Sequence, residues 1–150
     1  MNLQIRKLNS HDLDKFIALI RVFENVFEMK NFKIPNQGHL EKLLENDSFF
    51  VFVALIDGKV IGGLTSYTLQ QYYSDRALVY IYDLAVLTEF QRKGIGKKLI
   101  SEILGYCKGI GIEEVFVQAD EVDDHALEFY NSTGGIAEKV VHFYYPLNNK

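Results

Sequence analysis

Residues 78–108 constrain the fold more than any other part of the chain. They open with a run at 78–87 in which almost every residue is aliphatic, β-branched or aromatic. Such a continuous apolar run is typical of a central strand that is buried on both faces. A helix is predicted at 95–108, because its apolar residues recur at helical spacing. The apolar face of this helix is Ile95, Leu99, Ile100, Ile103, Leu104 and Cys107.

The loop between this strand and helix, residues 91–96, has the properties of an anion site. The first backbone N–H groups of a helix have no internal acceptor, and the helix dipole adds partial positive charge there. Gly94 and Gly96 carry no Cβ atom that would keep a phosphate away from the backbone. The cations in or beside the loop are Arg92, Lys93, Lys97 and Lys98. The loop therefore predicts a ligand that carries phosphate.

Two familiar phosphate-binding patterns do not match this loop. A P-loop needs Ser or Thr after its Gly-Lys pair, whereas Lys98 follows Gly96-Lys97. A dinucleotide fingerprint needs a third glycine where Leu99 stands. The pattern that is present is Q-x-x-G-x-G, which begins at Gln91 and lies between a strand and a helix.

Composition limits the class of protein. With 150 residues, 48% of them hydrophobic, the chain is expected to form a single domain over 1–150. A net charge of −4 disfavours nucleic acid and suits a cationic partner. The one cysteine, Cys107, excludes an internal disulfide, and we expect it to be buried in a reduced, cytoplasmic protein. The sequence has no apolar stretch of membrane-spanning length, so no membrane partner is expected.

The whole chain predicts an α/β fold, with a central mixed sheet flanked by about four helices. Strands are expected at 3–8, 49–56, 60–69, 78–87, 114–119 and 138–145, and helices at 13–27, around 40–44, 95–108 and 126–130. The first strand is expected at an edge, and Asp57-Gly58 indicates a tight hairpin. The strand at 114–119 follows a helical crossover, so we expect it to be buried and parallel to the strand before it. The strand at 138–145 is expected to close the sheet.

A second motif lies downstream of the glycine loop. It has the pattern A-x-x-x-Y-x-x-x-G and runs from Ala126 through Tyr130 to Gly134. The two motifs, in this order and with this succession of strands and helices, resemble the GNAT superfamily of N-acetyltransferases over nearly the whole chain. The resemblance implies the GNAT fold, with acetyl-CoA as cosubstrate and no metal.

A narrower resemblance is carried by residues 80–86, 117–124 and 141–143, which are similar to aminoglycoside 3-N-acetyltransferases. It implies transfer of the acetyl group to the 3-amino group of an aminoglycoside, by direct attack through a tetrahedral intermediate. Asp123 departs from the superfamily pattern, since many members have Asn near the pantetheine at that position.

The resemblance also assigns cofactor-binding residues. They are Leu84, Ala85, Val86, Gln91, Arg92, Lys93, Gly94, Ile95, Gly96, Lys97 and Tyr130. Backbone amides of the loop would hold the pyrophosphate of acetyl-CoA. Backbone groups of 84–86 would pair with the pantetheine amides as a neighbouring strand does, and the N–H near Leu84 would face the thioester oxygen.

Tyr130 and Asp83 are the predicted catalytic residues. The Tyr130 phenol is protonated at neutral pH and can donate to the departing thiolate; the alternative is a packed aromatic side chain. Asp83 lies in an apolar strand, where burial of an unpaired carboxylate is costly, so either a partner satisfies it there or the strand bulges at a site. We expect a functional role, in which Asp83 binds the substrate ammonium or acts as base. The competing bases are Asp120 and a water molecule.

An acidic cluster follows the strand at 114–119. Asp120, Asp123 and Asp124 are predicted to bind the substrate as part of an anionic rim that includes Glu121. The alternative interpretation is a solvated loop that caps the next helix.

Other functions stay open at this point. The acceptor can instead be a polyamine, another small amine or a protein amine, and a non-catalytic sensor of acyl-CoA is a third hypothesis. The expected partner is a small polycationic amine, with a homodimer as an option. No metal site is predicted, because the four histidines lack a ligand spacing such as H-E-x-x-H.

Overall fold

The computed structural model describes residues 2–148 and has the mixed α/β architecture expected from the sequence. The strands are β1 (Leu3–Lys7), β2 (Phe49–Ile56), β3 (Lys59–Leu69), β4 (Leu78–Val86) and β5 (Glu114–Val117). The helices are α1 (Leu13–Val26), α2 (Gln37–Glu45), α3 (Ile95–Gly109) and α4 (Asp124–Ser132), with a short 3-10 helix at Thr88–Phe90. The chain divides into two compact units between Gln118 and Ala119, so that the sheet and α1 to α3 lie in the first unit and α4 in the second.

The five strands form one sheet in the order β1-β2-β3-β4-β5. The pairs from β1 to β4 are antiparallel, and β5 joins β4 in parallel, as predicted from the helical crossover. Within residues 2–148, β1 pairs only with β2 and is therefore an edge strand. The turn between β2 and β3 has positive φ angles at Asp57 (50°) and Gly58 (81°). A type I′ hairpin turn requires this backbone conformation, and Asp-Gly supplies it.

Helices cover both faces of the sheet at β2. The odd-numbered residues of β2, such as Val51 and Val53, are fully buried in a core cluster with α1 and α2. On the other face, the rings of Phe50 and Phe52 lie 5.5 and 5.9 Å from the Tyr106 ring of α3. Full burial of a side chain of this kind stabilises the fold by about 1.5–3 kcal/mol. The two-sided packing explains why β2 is apolar throughout.

Several apolar positions are more exposed than the sequence predicts. Tyr82 of β4 is 57% exposed, although the strand was expected to be buried on both faces. Leu104 of α3, on the predicted apolar face of that helix, is 43% exposed. Cys107, in contrast, is buried as expected. Helical periodicity predicts which residues share a face, but it does not say how far the opposing layer extends over that face.

The C-terminal part of the predicted sheet also differs. β5 ends at Val117 and is only half-buried, whereas a buried strand was expected at 114–119. Residues 138–145 form no strand with any described residue, so the predicted closing strand is wrong for this chain as described. A strand-like pattern shows only that a segment suits a sheet, because pairing needs a free edge within reach. No helix within residues 2–148 has the length and apolar character needed to cross a membrane.

Candidate active site

The central feature of the site is an open edge along the second half of β4. This strand pairs with β3 from Leu78 to Val86, but with β5 only from Leu78 to Ile81. At the end of the strand, the Leu87 N–H donates to the Ile61 carbonyl over 2.8 Å. Val86 therefore faces β3 in a non-hydrogen-bonded pair, which turns its own backbone groups away from β3. By the same alternation, the N–H and carbonyl of Leu84 point to the open edge.

Gln91 ties the glycine loop to this edge. Its side-chain Nε2 donates to the Val86 carbonyl over 2.8 Å. The sequence assigned Gln91 to cofactor binding, and the structure shows that its amide holds the loop against β4. The backbone of Ala85 faces Gly63 of β3 within the sheet, so only alternate residues of 84–86 present backbone groups to a ligand. Leu84 is consequently the position that offers an extended ligand both a donor and an acceptor.

The loop ends in a helix N-terminus that has no side-chain cap. Gly94, the N-cap of α3, has φ 80°, and its carbonyl accepts the first helical bond from the Lys98 N–H. The N–H groups of Ile95, Gly96 and Lys97 precede that bond, so the helix itself offers them no acceptor. The surrounding cations, Arg92, Lys93, Lys97 and Lys98, are all exposed. Oriented N–H groups, the helix dipole and the cations together suit a phosphate here, and phosphate binding by this loop stays a prediction.

Asp83 lies on β4 next to the open edge and is half-buried. Within residues 2–148, no hydrogen bond or ion pair engages its carboxylate. Burial raises the pKa of Asp83 above its ordinary range, because desolvation disfavours the charged form. A half-buried carboxylate without a partner among the described residues can bind a substrate ammonium or accept a proton from it.

A row of aromatic rings lies beside Asp83, and no motif in the sequence reveals it. This aromatic row consists of Tyr67, Tyr82, Tyr80 and Phe116, from three neighbouring strands. Successive ring centroids are 5.7, 5.7 and 4.8 Å apart, and the last pair, Tyr80 and Phe116, is stacked. Burial, then Tyr82, then the charge of Asp83 raise the pKa of Tyr67 and of Tyr80. The carboxylate is therefore close to the rings.

A bulge in β4 explains how Asp83 comes to lie near the tyrosines. Thr65 of β3 pairs with Asp83 and Ser66 pairs with Ile81, so Tyr82 is an extra residue between the two pairs. A bulge of this kind redirects the side chains beside it. The signal for a bulge in the sequence was an acid within an apolar strand, but periodicity alone does not show which residue is the extra one.

Two glycines of β3 support the open part of β4. A Cβ atom at Gly62 would lie 2.8 Å from the Ala85 carbonyl oxygen. A Cβ atom at Gly63 would lie 2.5 Å from the Phe52 carbonyl oxygen and 2.8 Å from Leu19 Cδ1. Only glycine fits these positions without movement of the backbone, and no motif in the sequence marks them.

The remaining predicted residues lie in the second unit. Asp123 caps α4, since its carboxylate accepts from the Ala126 N–H over 3.0 Å. Asp120 accepts from the Val122 N–H over 3.2 Å, and Asp124 is exposed in the first turn of α4. The local capping role is thus confirmed for Asp123, while the substrate-binding role of these acids stays a prediction.

Tyr130 lies in the last half of α4 and is partly buried. Its ring packs against Phe129 with centroids 5.0 Å apart. Its predicted role as acid stays a prediction. Within residues 2–148, no group of three or more His, Cys, Asp or Glu side chains is arranged to hold a metal ion.

Comparisons with known proteins agree with this geometry. Residues 14–134 match the family model of the Acetyltransferase (GNAT) family. A solved aminoglycoside acetyltransferase, meta-AAC0020 from an uncultured soil metagenomic sample, in complex with sisomicin, is 60% identical over 97% of both chains, with a TM-score of 0.96. A second aminoglycoside acetyltransferase, HMB0005 from an uncultured soil metagenomic sample, is 32% identical over 99% of this chain and 100% of its own, with a TM-score of 0.92.

A relative from Archaeoglobus fulgidus, described as an uncharacterized N-acetyltransferase, is 32% identical over 70% of this chain and 74% of its own length. The family match spans both motifs found in the sequence, the glycine loop before α3 and the tyrosine helix α4. The chain belongs to the GNAT family of acetyltransferases.

Proposed function

We propose that this protein transfers the acetyl group of acetyl-CoA to the 3-amino group of an aminoglycoside. The observation that carries the proposal is the unpaired Asp83 carboxylate beside the aromatic row, at the open edge of β4. GNAT acetyltransferases use acetyl-CoA, and the related enzyme meta-AAC0020 was solved with sisomicin. We further propose that 1–150 acts as one acetyltransferase domain, which the family match across both units supports.

Acetyl-CoA is proposed to bind through backbone groups. The N–H groups of Ile95, Gly96 and Lys97 suit the pyrophosphate, because a helix N-terminus without a cap combines free donors with partial positive charge. The open backbone of Leu84 suits a pantetheine amide, as an added strand would. Arg92 and Lys97 would add charge at the phosphates. The acetyl thioester would then lie along the edge of β4 next to Asp83.

The acceptor is proposed to bind through charge and ring contact together. The Asp83 carboxylate attracts an ammonium group, and tyrosine faces also stabilise cations by cation–π interaction. Tyr82 and Tyr67 expose 57% and 37% of their surface, which leaves ring area for contact with the C–H faces of a sugar. A linear polyamine offers charge but no ring face. The aromatic row therefore favours an aminosugar over a polyamine.

The reaction then needs two proton transfers. The amine nitrogen attacks the thioester carbon, and Asp83 accepts the amine proton, directly or through a water molecule. The C–S bond breaks as the tetrahedral intermediate collapses, and Tyr130 is proposed to donate its phenolic proton to the leaving thiolate. Asp120 is the alternative base. The N–H of Leu84 is proposed to stabilise the oxyanion of the intermediate.

An acceptor screen tests the function. The purified protein is incubated with acetyl-CoA and sisomicin, an aminoglycoside whose 3-amino group is blocked, spermidine or a lysine peptide, while free CoA thiol is followed. We expect thiol release with sisomicin, none with the blocked aminoglycoside, and a product whose NMR spectrum locates the acetyl group on the 3-amino nitrogen. Equal rates on the blocked and unblocked aminoglycosides would reject the 3-amino position. Turnover of spermidine or the peptide alone would reject the aminoglycoside class, and no turnover of any acceptor would favour an acyl-CoA sensor.

A further inference from the structure

The face of the sheet that carries the aromatic row also carries a carboxylate on β5. Phe116 of β5 pairs with Tyr80 of β4, and Glu114 of β5 pairs with Leu78. The rings of Tyr80 and Phe116 are stacked 4.8 Å apart, so both side chains point to the same face. Side chains two residues apart on a strand share a face. Glu114 therefore points to the face of the aromatic row.

Asp83 points to this face as well, from the other end of the row. Tyr80 pairs with Tyr67 of β3, and Asp83 pairs with Thr65. Because Thr65 and Tyr67 are two residues apart in β3, both pairs lie on one face. Between Asp83 and the position beside Glu114, β4 advances by about 13 Å, at about 3.3 Å per residue with one residue taken up by the bulge.

The surface between the two carboxylates is apolar and partly exposed. It begins with Tyr82 and Tyr67 and continues to Leu69, which lies two residues beyond Tyr67 and is 42% exposed. Leu69 pairs with Leu78, which in turn pairs with Glu114. Isolated exposed apolar residues are ordinary, but a contiguous surface of them marks a place of contact with another molecule.

Glu114 has no structural partner in the described part of the chain. It is exposed, and no cation of residues 2–148 forms an ion pair with it. Its neighbour Glu113 differs, because the Glu113 carboxylate accepts from Ser74 Oγ over 2.9 Å and from Gln71 Nε2 over 3.2 Å. The Arg76 guanidinium lies 3.6 Å from the same carboxylate. Glu113 thus holds the loop between β3 and β4, whereas Glu114 holds no part of the fold in this way.

We propose that Glu114 binds a second ammonium group of the acceptor, so that an aminoglycoside of several rings lies along the aromatic row between Asp83 and Glu114. The proposal rests on the proposed function, since it concerns the same site. The charges favour this occupant, because two carboxylates separated by an aromatic surface complement a molecule that carries several ammonium groups on sugar rings. A single aminosugar bound at Asp83 does not reach a carboxylate about 13 Å farther along the strand. Glu114 therefore makes the site selective for a long acceptor.

Steady-state kinetics with a long and a short acceptor test the role of Glu114. Sisomicin has several rings, and 2-deoxystreptamine is the single ring that carries its 3-amino group. Glu114→Gln is expected to raise KM for sisomicin about two- to fivefold, as for loss of one exposed ion pair, with the effect in KM rather than in kcat. The inhibition constant of 2-deoxystreptamine against sisomicin is expected to stay the same, because the single ring does not reach Glu114.

Two further variants separate contact from general charge. Glu102→Gln is the matched control, because it removes the same charge from an exposed position on α3, which covers the other face of the sheet. It is expected to keep the wild-type KM for sisomicin. Glu114→Lys is expected to raise this KM at least about tenfold, since a cation repels the ammonium group. High salt is expected to reduce the differences between these variants and the wild type, because it screens exposed charges.

The outcomes distinguish this proposal from the proposed function. Turnover of sisomicin with the same KM in the wild type, Glu114→Gln and Glu114→Lys would overturn the role of Glu114 and leave the proposed function standing. An equal change for sisomicin and 2-deoxystreptamine would also overturn it, because the effect would then come from general charge. Failure of the wild type to acetylate any aminoglycoside would reject the proposed function, and the role of Glu114 with it.

Discussion

Gly63 is expected to be the glycine that tolerates alanine least. The Cβ atom of alanine would lie 2.5 Å from the Phe52 carbonyl oxygen on β2 and 2.8 Å from Leu19 Cδ1 on α1. Ordinary contacts begin near 3.4 Å, so β3 must move by almost an ångström or β2 and α1 must separate. Overpacking of this kind costs about 1–3 kcal/mol. For a chain of 150 residues, each kcal/mol lowers Tm by about 2–4 °C, so we expect Gly63→Ala to melt about 2–12 °C below wild type.

Gly105 supplies a control of opposite sign. It lies in α3, is exposed, and has no atom within 4 Å of an added Cβ. Alanine there is expected to stabilise the protein by about 0.5–1 kcal/mol, because it lowers the entropy lost on helix formation. Scanning calorimetry and urea denaturation of both variants measure the difference. If Gly63→Ala melts with the wild type while Gly105→Ala melts higher, the tight approach of β3 to β2 is not present in solution.

Four further variants test the site. Asp83→Asn should lower kcat/KM by about 100- to 10,000-fold, as for loss of a general base. Burial raises the pKa of Asp83, so the wild type loses stability as the pH rises from the unfolded pKa of about 3.9 through the folded pKa. Asp83→Asn should therefore have a higher Tm than wild type at pH 7, and this gain should vanish below about pH 4. A lower Tm of the variant at pH 7 would contradict an unpaired carboxylate. Gly94→Val should weaken acetyl-CoA binding at least about tenfold, as measured by calorimetry. Gly58→Val is the control, because it is equally strained at φ 81° but lies in the β2–β3 turn, and it should not weaken binding. If both variants bind acetyl-CoA with the same affinity, the loop is not the pyrophosphate site. Tyr130→Phe should lower kcat about 100-fold or more with little change in acetyl-CoA affinity, and near wild-type turnover would mean that another group is the acid. Tyr82→Leu should raise KM for sisomicin but not for spermidine, with Tyr82→Phe close to wild type; an equal effect on both amines would argue against ring contact with a sugar.

Much of the fold could be predicted because its determinants are local. Asp57-Gly58 indicated the hairpin, since two adjacent residues with positive φ are enough to set a type I′ turn. The acidic residues before α4 indicated a cap, and the Asp123 carboxylate does cap that helix. The parallel pairing of β4 and β5 followed from the helical crossover between them. The closing strand at 138–145 failed, because a strand needs a partner edge that its own sequence does not contain.

The sequence by itself determined three features of the site: the helix start after Gly94, the cations around it and an acid in the strand. Each of these is local, because it depends only on neighbours along the chain. Only the tertiary structure decided what surrounds Asp83. The aromatic row comes from three strands, the glycines that support β4 lie on β3, and the open edge exists because β5 stops pairing at Ile81. Each of these features depends on which residues face each other across a register. The acid in the strand indicated a bulge as one possibility, but the pairing of β3 with β4 decides that Tyr82 is the extra residue.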